Sequence, residues 1–144
     1  MKYRGFLWWV VFVLLAIWQL PQFIVAIVML PFLGDLKLIA EMHFNFCFVG
    51  TKMQGGISLG PFAYVSPRST DAESVAHELD GHTRQSLYLG PLYLFLVGLP
   101  SILNAWLGIT DCYYDWFPEK GANYHAGLDV DENCRLYFTN NKKA

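Results

Sequence analysis

The feature that most constrains this chain is the run from Phe6 to Phe32, which carries no charged residue. About 20 consecutive apolar residues suffice to cross the hydrocarbon core of a bilayer, so the run is long enough to do so. Lys2 and Arg4 precede it, and Tyr3, Trp8 and Trp9 suit a lipid–water interface. The positive-inside rule then favours a cytoplasmic N-terminus, although Lys37 and Lys52 beyond the run pull the other way. A secretory signal peptide opens similarly, but its apolar core is shorter and small residues follow at a cleavage site. Here Gln19-Leu20-Pro21-Gln22 is followed by more apolar sequence, which argues for retention. Pro21 removes a helix hydrogen bond, so the run is expected to form one kinked span, the alternative being two half-helices. Residues 1–34 are thus read as a membrane anchor, and residues 35–144 as a membrane-associated domain.

Composition agrees, since 54% hydrophobic, 17% aromatic and only 15% charged residues in a chain of 144 is rich for a water-soluble domain. A net charge of -2, with the few Lys and Arg scattered, leaves no basic footprint and argues against nucleic-acid binding. Cys47, Cys112 and Cys134 lack the paired spacing of a structural zinc site. A disulfide between Cys112 and Cys134 is open, and Cys47 is read as buried packing.

A second apolar stretch, Leu92 to Gly108, has the length of another span. Its Gly98-Leu99-Pro100-Ser101 centre points instead to two short helices meeting at a turn: Pro100 disfavours helix at Leu99, and Ser101 can cap a helix beginning at Ile102. Such a hairpin returns the chain to the side it left. Between the two apolar stretches, His43 to Val49 and Ile57 to Ser66 are rich in strand-forming residues around a Gly55-Gly56 turn, so a small β element is expected.

After Pro67 and Ser69 a helix should begin, with Thr70 and Glu73 as a capping box, and run from about Asp71 to Leu89 before Gly90-Pro91 stops it. Its interior carries His77-Glu78-Leu79-Asp80-Gly81-His82. In a zincin, H-E-x-x-H puts two histidines on one helix face to hold zinc, while the Glu acts as general base. This chain has one residue more, and on a regular helix its histidines diverge by roughly 140°. A π-bulge near Asp80-Gly81 would return them to one face. Without it, Glu78 and His82 become the pair four apart.

Gly60-Pro61-Phe62, His77-Glu78…Gly81-His82-Thr83-x-Gln85-Ser86, Leu89-Gly90-Pro91-Leu92-Tyr93-Leu94 and Gly98-Leu99-Pro100-Ser101 form an ordered series. Together they resemble a family of small bacterial membrane proteins with a zincin-like H-E-x-G-H motif, over roughly residues 55 to 127. The resemblance implies a third ligand in an aromatic, Glu, Ala-Asn context, which Phe117 to Asn123 matches with Glu119 as the ligand. The family motif has no counterpart of Asp80.

The expected fold is therefore an α+β membrane protein: an N-terminal transmembrane helix, a small β element, a zincin-like helix followed by an apolar helical hairpin, and a short C-terminal helix. The expected function is a membrane-anchored, zinc-dependent, peptidase-like metallohydrolase in the bacterial inner membrane, acting on a peptide or protein. Its site would comprise zinc on His77, His82 and Glu119, with Glu78 as general base and Gln85, Ser86 and Asn123 in support. Asp115 and His125 are reserve ligands, Glu41 and His43 are read as structural, and the acidic run Asp129 to Glu132 as a solvated face. The competing expectation is a non-catalytic membrane protein with a structural or vestigial metal site that acts through a protein partner.

Overall fold

The computed structural model describes residues 4–139, so Lys2 and Tyr3 lie outside the described residues. The uncharged run forms two helices, α1 (Phe6–Trp18) and α2 (Leu20–Leu33), bent by 93°. This corrects the single kinked span. The chain leaves helical geometry at Gln19 (φ -105°, ψ 29°), and Pro21 falls in the first turn of α2, where its missing N–H costs no hydrogen bond.

The elbow is held by buried amides. Ser86 Oγ donates to Gln19 Oε1 at 2.6 Å, and Gln22 Nε2 donates to the Gly90 carbonyl at 2.5 Å. Beside them Trp18 Nε1 donates to the Leu87 carbonyl at 2.8 Å. Two glutamines in an apolar run are costly unless partnered; here they pin the elbow to the helix that carries the histidines. At the other end of α1, Arg4 pairs with Glu41 at 2.6 Å and lies over the Trp8 and Phe46 rings. Arg4 is thus engaged by the body of the protein.

The four-stranded sheet has the order β1 (Leu36–Met42), β2 (Asn45–Gly50), β4 (Phe62–Val65), β3 (Gly56–Leu59), with β2 and β4 parallel and the other pairs antiparallel. The strand at Leu36–Met42 was not expected from sequence, and the Ile57 to Ser66 segment is itself a hairpin that turns at Gly60-Pro61. Side chains alternate across the sheet. Phe48, Phe62 and Tyr64 pack with Val25, Ala26 and Met29 of α2, whereas Cys47, Ala63 and Val65 pack with Val75 and Leu79. Burial, reinforced by the charge of Glu78, pushes the Cys47 thiol up to about 12, so it stays protonated as packing.

On that second face runs one continuous helical rod: α3 (Ala72–Ala76), a π turn (His77–His82) and α4 (Thr83–Leu89). Its cap is Asp71, whose carboxylate accepts from the Ser74 N–H at 2.9 Å, one residue on from the expected Thr70. A short 3-10 turn (Gly90–Leu92) ends the rod. The chain then reverses by 119° into a second helical rod, π-turned at Leu94–Gly98 and α-helical as α5 (Leu99–Leu107).

The expected turn at Gly98 to Ser101 is therefore corrected: the reversal lies at Gly90 to Leu92, and helix runs through Gly98 (φ -58°, ψ -53°). A proline clashes with the carbonyl four residues before it, and a π turn widens the spiral at that point, so Pro100 sits in a continuous helix. Among the described residues no single helix is long and apolar enough to cross a membrane; the two bent pairs reach that length and apolarity only when each pair is taken together.

A loop with a 3-10 turn (Tyr113–Asp115) leads to α6 (Phe117–Ala126) and a hairpin of β5 (Leu128–Val130) and β6 (Leu136–Phe138), the last not expected from sequence. The Cys112–Cys134 disulfide joins loop and hairpin. In the acidic run, the Asp131 carboxylate accepts from the Asn133 and Arg135 N–H groups, so it builds the hairpin turn.

Candidate metal centre

The π turn contains the whole hexapeptide from His77 to His82, and all six residues are buried. Its extra residue does what a regular helix cannot: the two imidazoles stand on one side, centroids 4.7 Å apart and nearly perpendicular at 84°. Asp80 is turned away from the site and pairs with Arg84 one turn on.

Gly81 has a separate role. A Cβ there would lie 2.6 Å from the Ala122 carbonyl oxygen, so only glycine lets α6 approach the rod this closely. That approach delivers Glu119, which is fully buried. Its Oε2 lies 2.9 Å from His77 Nε2 and 3.0 Å from His82 Nε2.

Each member is oriented from behind. His77 Nδ1 donates to Asn123 Oδ1 at 2.7 Å. His82 Nδ1 donates to Gln85 Oε1 at 2.8 Å, and Gln85 is fixed in turn because its Nε2 donates to the Pro118 carbonyl at 2.7 Å. With both Nδ1 atoms committed as donors, each Nε2 faces Glu119 with a lone pair when its imidazole is neutral and with an N–H when it is protonated. The other Glu119 oxygen, Oε1, accepts from the Ser101 hydroxyl.

Three acceptors that converge need a proton or a cation between them. Burial opposes charge on His82, but the hydrogen bond and charge of Glu119 outweigh it and lift the imidazole to about 9. Burial likewise opposes charge on Glu119, yet the hydrogen bonds from His77 and His82 hold its carboxyl well below the usual carboxylate range. Ligands about 2.0–2.1 Å from a tetrahedral zinc stand about 3.3 Å from one another. The observed gaps of 2.9 and 3.0 Å thus need to widen by only a few tenths of an ångström to admit the ion.

Glu78 completes the set: its carboxylate and one ring nitrogen each of His77 and His82 all lie within 4.8 Å of one another. Either carboxylate is thus near enough to serve a cation. Glu119 is within hydrogen-bond distance of both imidazoles and is locked by Ser101, whereas Glu78 faces two cavities. Ser58 Oγ donates to Glu78 Oε2 at 2.6 Å, and a Cβ at Gly56 would fall 2.1 Å from Oε1, so β3 is fitted to this carboxylate.

Tyr113 lines both cavities, and burial followed by the charges of Glu119 and Glu78 keeps its phenol protonated far above its ordinary range. Tyr114 lies edge-on to His77, ring centroids 5.2 Å apart, and burial with the same two charges pushes it up to about 12.

Of the residues singled out in the sequence, His77, Glu78, His82, Gln85, Glu119 and Asn123 come together. Ser86 does not join them, and instead ties the rod to Gln19. Asp115 pairs with Lys120 at 3.5 Å, His125 lies against Tyr88 and Tyr124, Glu41 pairs with Arg4, and His43 turns the chain between β1 and β2 at φ 54°. Nothing in the local sequence of Ser58, Ser101 and Tyr113 marks them for this site; Ser101, the cap expected from sequence, instead lies inside a continuous helix and reaches Glu119. Searches of the chain against family models, curated proteins and solved structures found no match.

Proposed function

We propose that the protein is a membrane-embedded, zinc-dependent hydrolase of peptide bonds, with His77, His82 and Glu119 as ligands and Glu78 as general base. The observation that carries this reading is the convergence of two lone-pair imidazole nitrogens and one carboxylate oxygen, each oriented from behind, beside a second carboxylate that opens onto cavities. The sequence resemblance to small bacterial membrane proteins with a zincin-like motif supports it.

Zinc would supply a Lewis acid that polarises the scissile carbonyl and acidifies the attacking water. Glu78, oriented by Ser58, takes one proton from that water as its oxygen bonds the carbonyl carbon. It returns that proton to the amine nitrogen as the C–N bond breaks, and the second proton of the water, left on the new carboxyl group, passes to the same nitrogen, so that a carboxylate and an ammonium group leave. The Tyr113 phenol, protonated at working pH, is a donor at the same wall of the cleft.

The partner we infer is the lipid bilayer. Phe6 is 85% and Trp106 80% exposed, and Leu14, Ile17, Val28 and Phe95 extend this apolar surface across α1, α2 and the second rod. A surface of that kind is far from the scattered apolar exposure of ordinary water-soluble proteins. The inferred setting is the bacterial inner membrane, and the Cys112–Cys134 disulfide fits an oxidising compartment on the side of the metal centre.

Metal analysis of the purified full-length chain beside His82→Ala tests the ligand set: zinc near one equivalent in the parent and near zero in the variant is expected. Equal, negligible zinc in both sinks the metal centre. Glu78→Gln should keep zinc and abolish peptide hydrolysis; undiminished hydrolysis refutes its role as base.

A further inference from the structure

The two cavities beside Glu78 differ in chemistry. One, of about 290 Å³, is lined mostly by apolar groups: Val25 and Met29 of α2, Ile57 and Leu59 of β3, and Leu99 and Ile102 of the second rod. The other, of about 270 Å³, is lined by Gln54, Ser69, Ser74, His77 and Tyr114. Gly56, Glu78, Ala105 and Tyr113 belong to both, so the two are halves of one cleft with Glu78 at their common wall.

The mouth of the apolar half lies between α2 and the second rod. Leu99 and Ile102, which line this half, are exposed, as are Phe95 of the second rod and Val28 of α2. If that surface lies in lipid, the apolar half opens toward lipid and the polar half toward water. β3 follows the same division. It is the edge strand of the sheet, its Ile57, Ser58 and Leu59 line the apolar half, and Gln54 and Gly55 just before it line the polar half. An edge strand recognises an extended chain through backbone hydrogen bonds, and neighbouring pockets choose its side chains.

From this we infer the substrate class of the proposed hydrolase: a peptide that is apolar on one side of the scissile bond and polar on the other, drawn along β3 and cut where a lipid-embedded segment emerges into water. The inference rests on the hydrolase reading and deepens it. A strand advances about 3.3 Å per residue, so the four residues of β3 suit about four residues of substrate.

The test uses the full-length Glu78→Gln protein in lipid nanodiscs, empty nanodiscs as the blank, and fluorescent eight-residue probes read by anisotropy. One probe has four Ser and Gln residues followed by four Leu and Val, one has the same residues scrambled, and one is all polar. The block probe should bind at least about tenfold more tightly than the scrambled one, the scale of burying an apolar side chain or two. Two further changes in this background target the apolar half. Gly98→Leu fills it from a helical position where a new Cβ meets nothing closer than 3.6 Å, and Ile102→Ser polarises its mouth.

Each should cut the block probe's advantage below about threefold while the zinc content stays that of the parent, which also reports that the cluster has folded. Equal binding of block and scrambled probes overturns the inference, as does an advantage that survives both changes. Displacement of the block probe by dodecanoate as readily as by unlabelled peptide also overturns it, since the occupant is then a lipid chain. Zinc analysis of the same samples judges the hydrolase reading separately: zinc-loaded protein without the preference fails the inference alone, and zinc-free protein that keeps the preference fails the hydrolase reading.

Discussion

Two π turns lie in consecutive helical rods of this molecule, at His77–His82 and at Leu94–Gly98, and each carries a glycine as its fifth residue. They are the same local distortion under different demands. The first is wholly buried and carries four ionisable side chains, and its glycine faces the backbone of α6 at a distance no side chain could tolerate. The second buries only Val97, its glycine has room around it, and its service is to carry helix past Pro100. A π turn is therefore not a functional signal in itself. What makes the first one a site is the element packed against it.

The largest effect that separates the two turns is expected from Gly81→Ala. The new Cβ must displace the Ala122 carbonyl, and with it the helix that holds Glu119. Since loss of mere supporting contacts costs metal affinity about 10–100-fold, displacing a ligand should cost at least about 100-fold, measured by zinc titration against a chelator. An affinity within threefold of the parent means that α6 does not depend on this approach.

The next effect is one of pH. His82 holds its proton more tightly in the folded chain, lifted from 6.5 to about 9, so in metal-free protein this contribution to stability is full below pH 6.5 and is lost as pH rises to about 9. Zinc must displace the same proton, so its affinity should rise by about tenfold per pH unit from pH 7 toward 9. Calorimetry in buffers of different ionisation enthalpy should register about one proton released per zinc at pH 7, and a flat affinity profile contradicts the His82–Glu119 coupling.

A smaller change links the two rods. Helical continuity through the second π turn brings Ser101 onto Glu119, so Ser101→Ala should weaken zinc by about tenfold with the disulfide and fold intact. Unchanged affinity would show that the second rod supports helix continuity alone. The smallest effect is expected from Gly98→Ala, whose new Cβ meets nothing closer than 3.6 Å, an ordinary contact, and which should be neutral or stabilise by up to about 1 kcal/mol in thermal unfolding, with unaltered zinc content. Marked destabilisation there would mean that both turns require their glycine for packing.

Much of this was legible in the sequence because it is local. The extra residue between His77 and His82 leaves two registers open, and the π turn at His77–His82 is the one the chain adopts. The helix start was readable to within a residue, because Thr70, Asp71 and Ser74 are all competent at a cap and only the local backbone selects Asp71. The break in the apolar run was announced by Gln19 and Pro21, yet its angle was not, since a 93° elbow is stabilised by partners 67 residues away at Ser86 and 68 away at Gly90. The reversal lies at Gly90 rather than at Gly98 for a similar reason: a proline reads as a helix stop until a π turn accommodates it.

By itself the sequence determined the uncharged N-terminal run, the aromatic strands β2 and β4, the placement of His77, Glu78 and His82 within one helix, and the chemistry available at Glu119. Only the tertiary structure decided that Glu119 reaches both histidines, that Ser58 and Ser101 orient the two carboxylates, and that α1 and α2 fold onto the body instead of running straight. Periodicity and caps are written over a few neighbouring residues, whereas these contacts depend on which helices lie face to face. That is decided by burial across the whole chain, above all by the bare Cα of Gly81 beneath the backbone of Ala122.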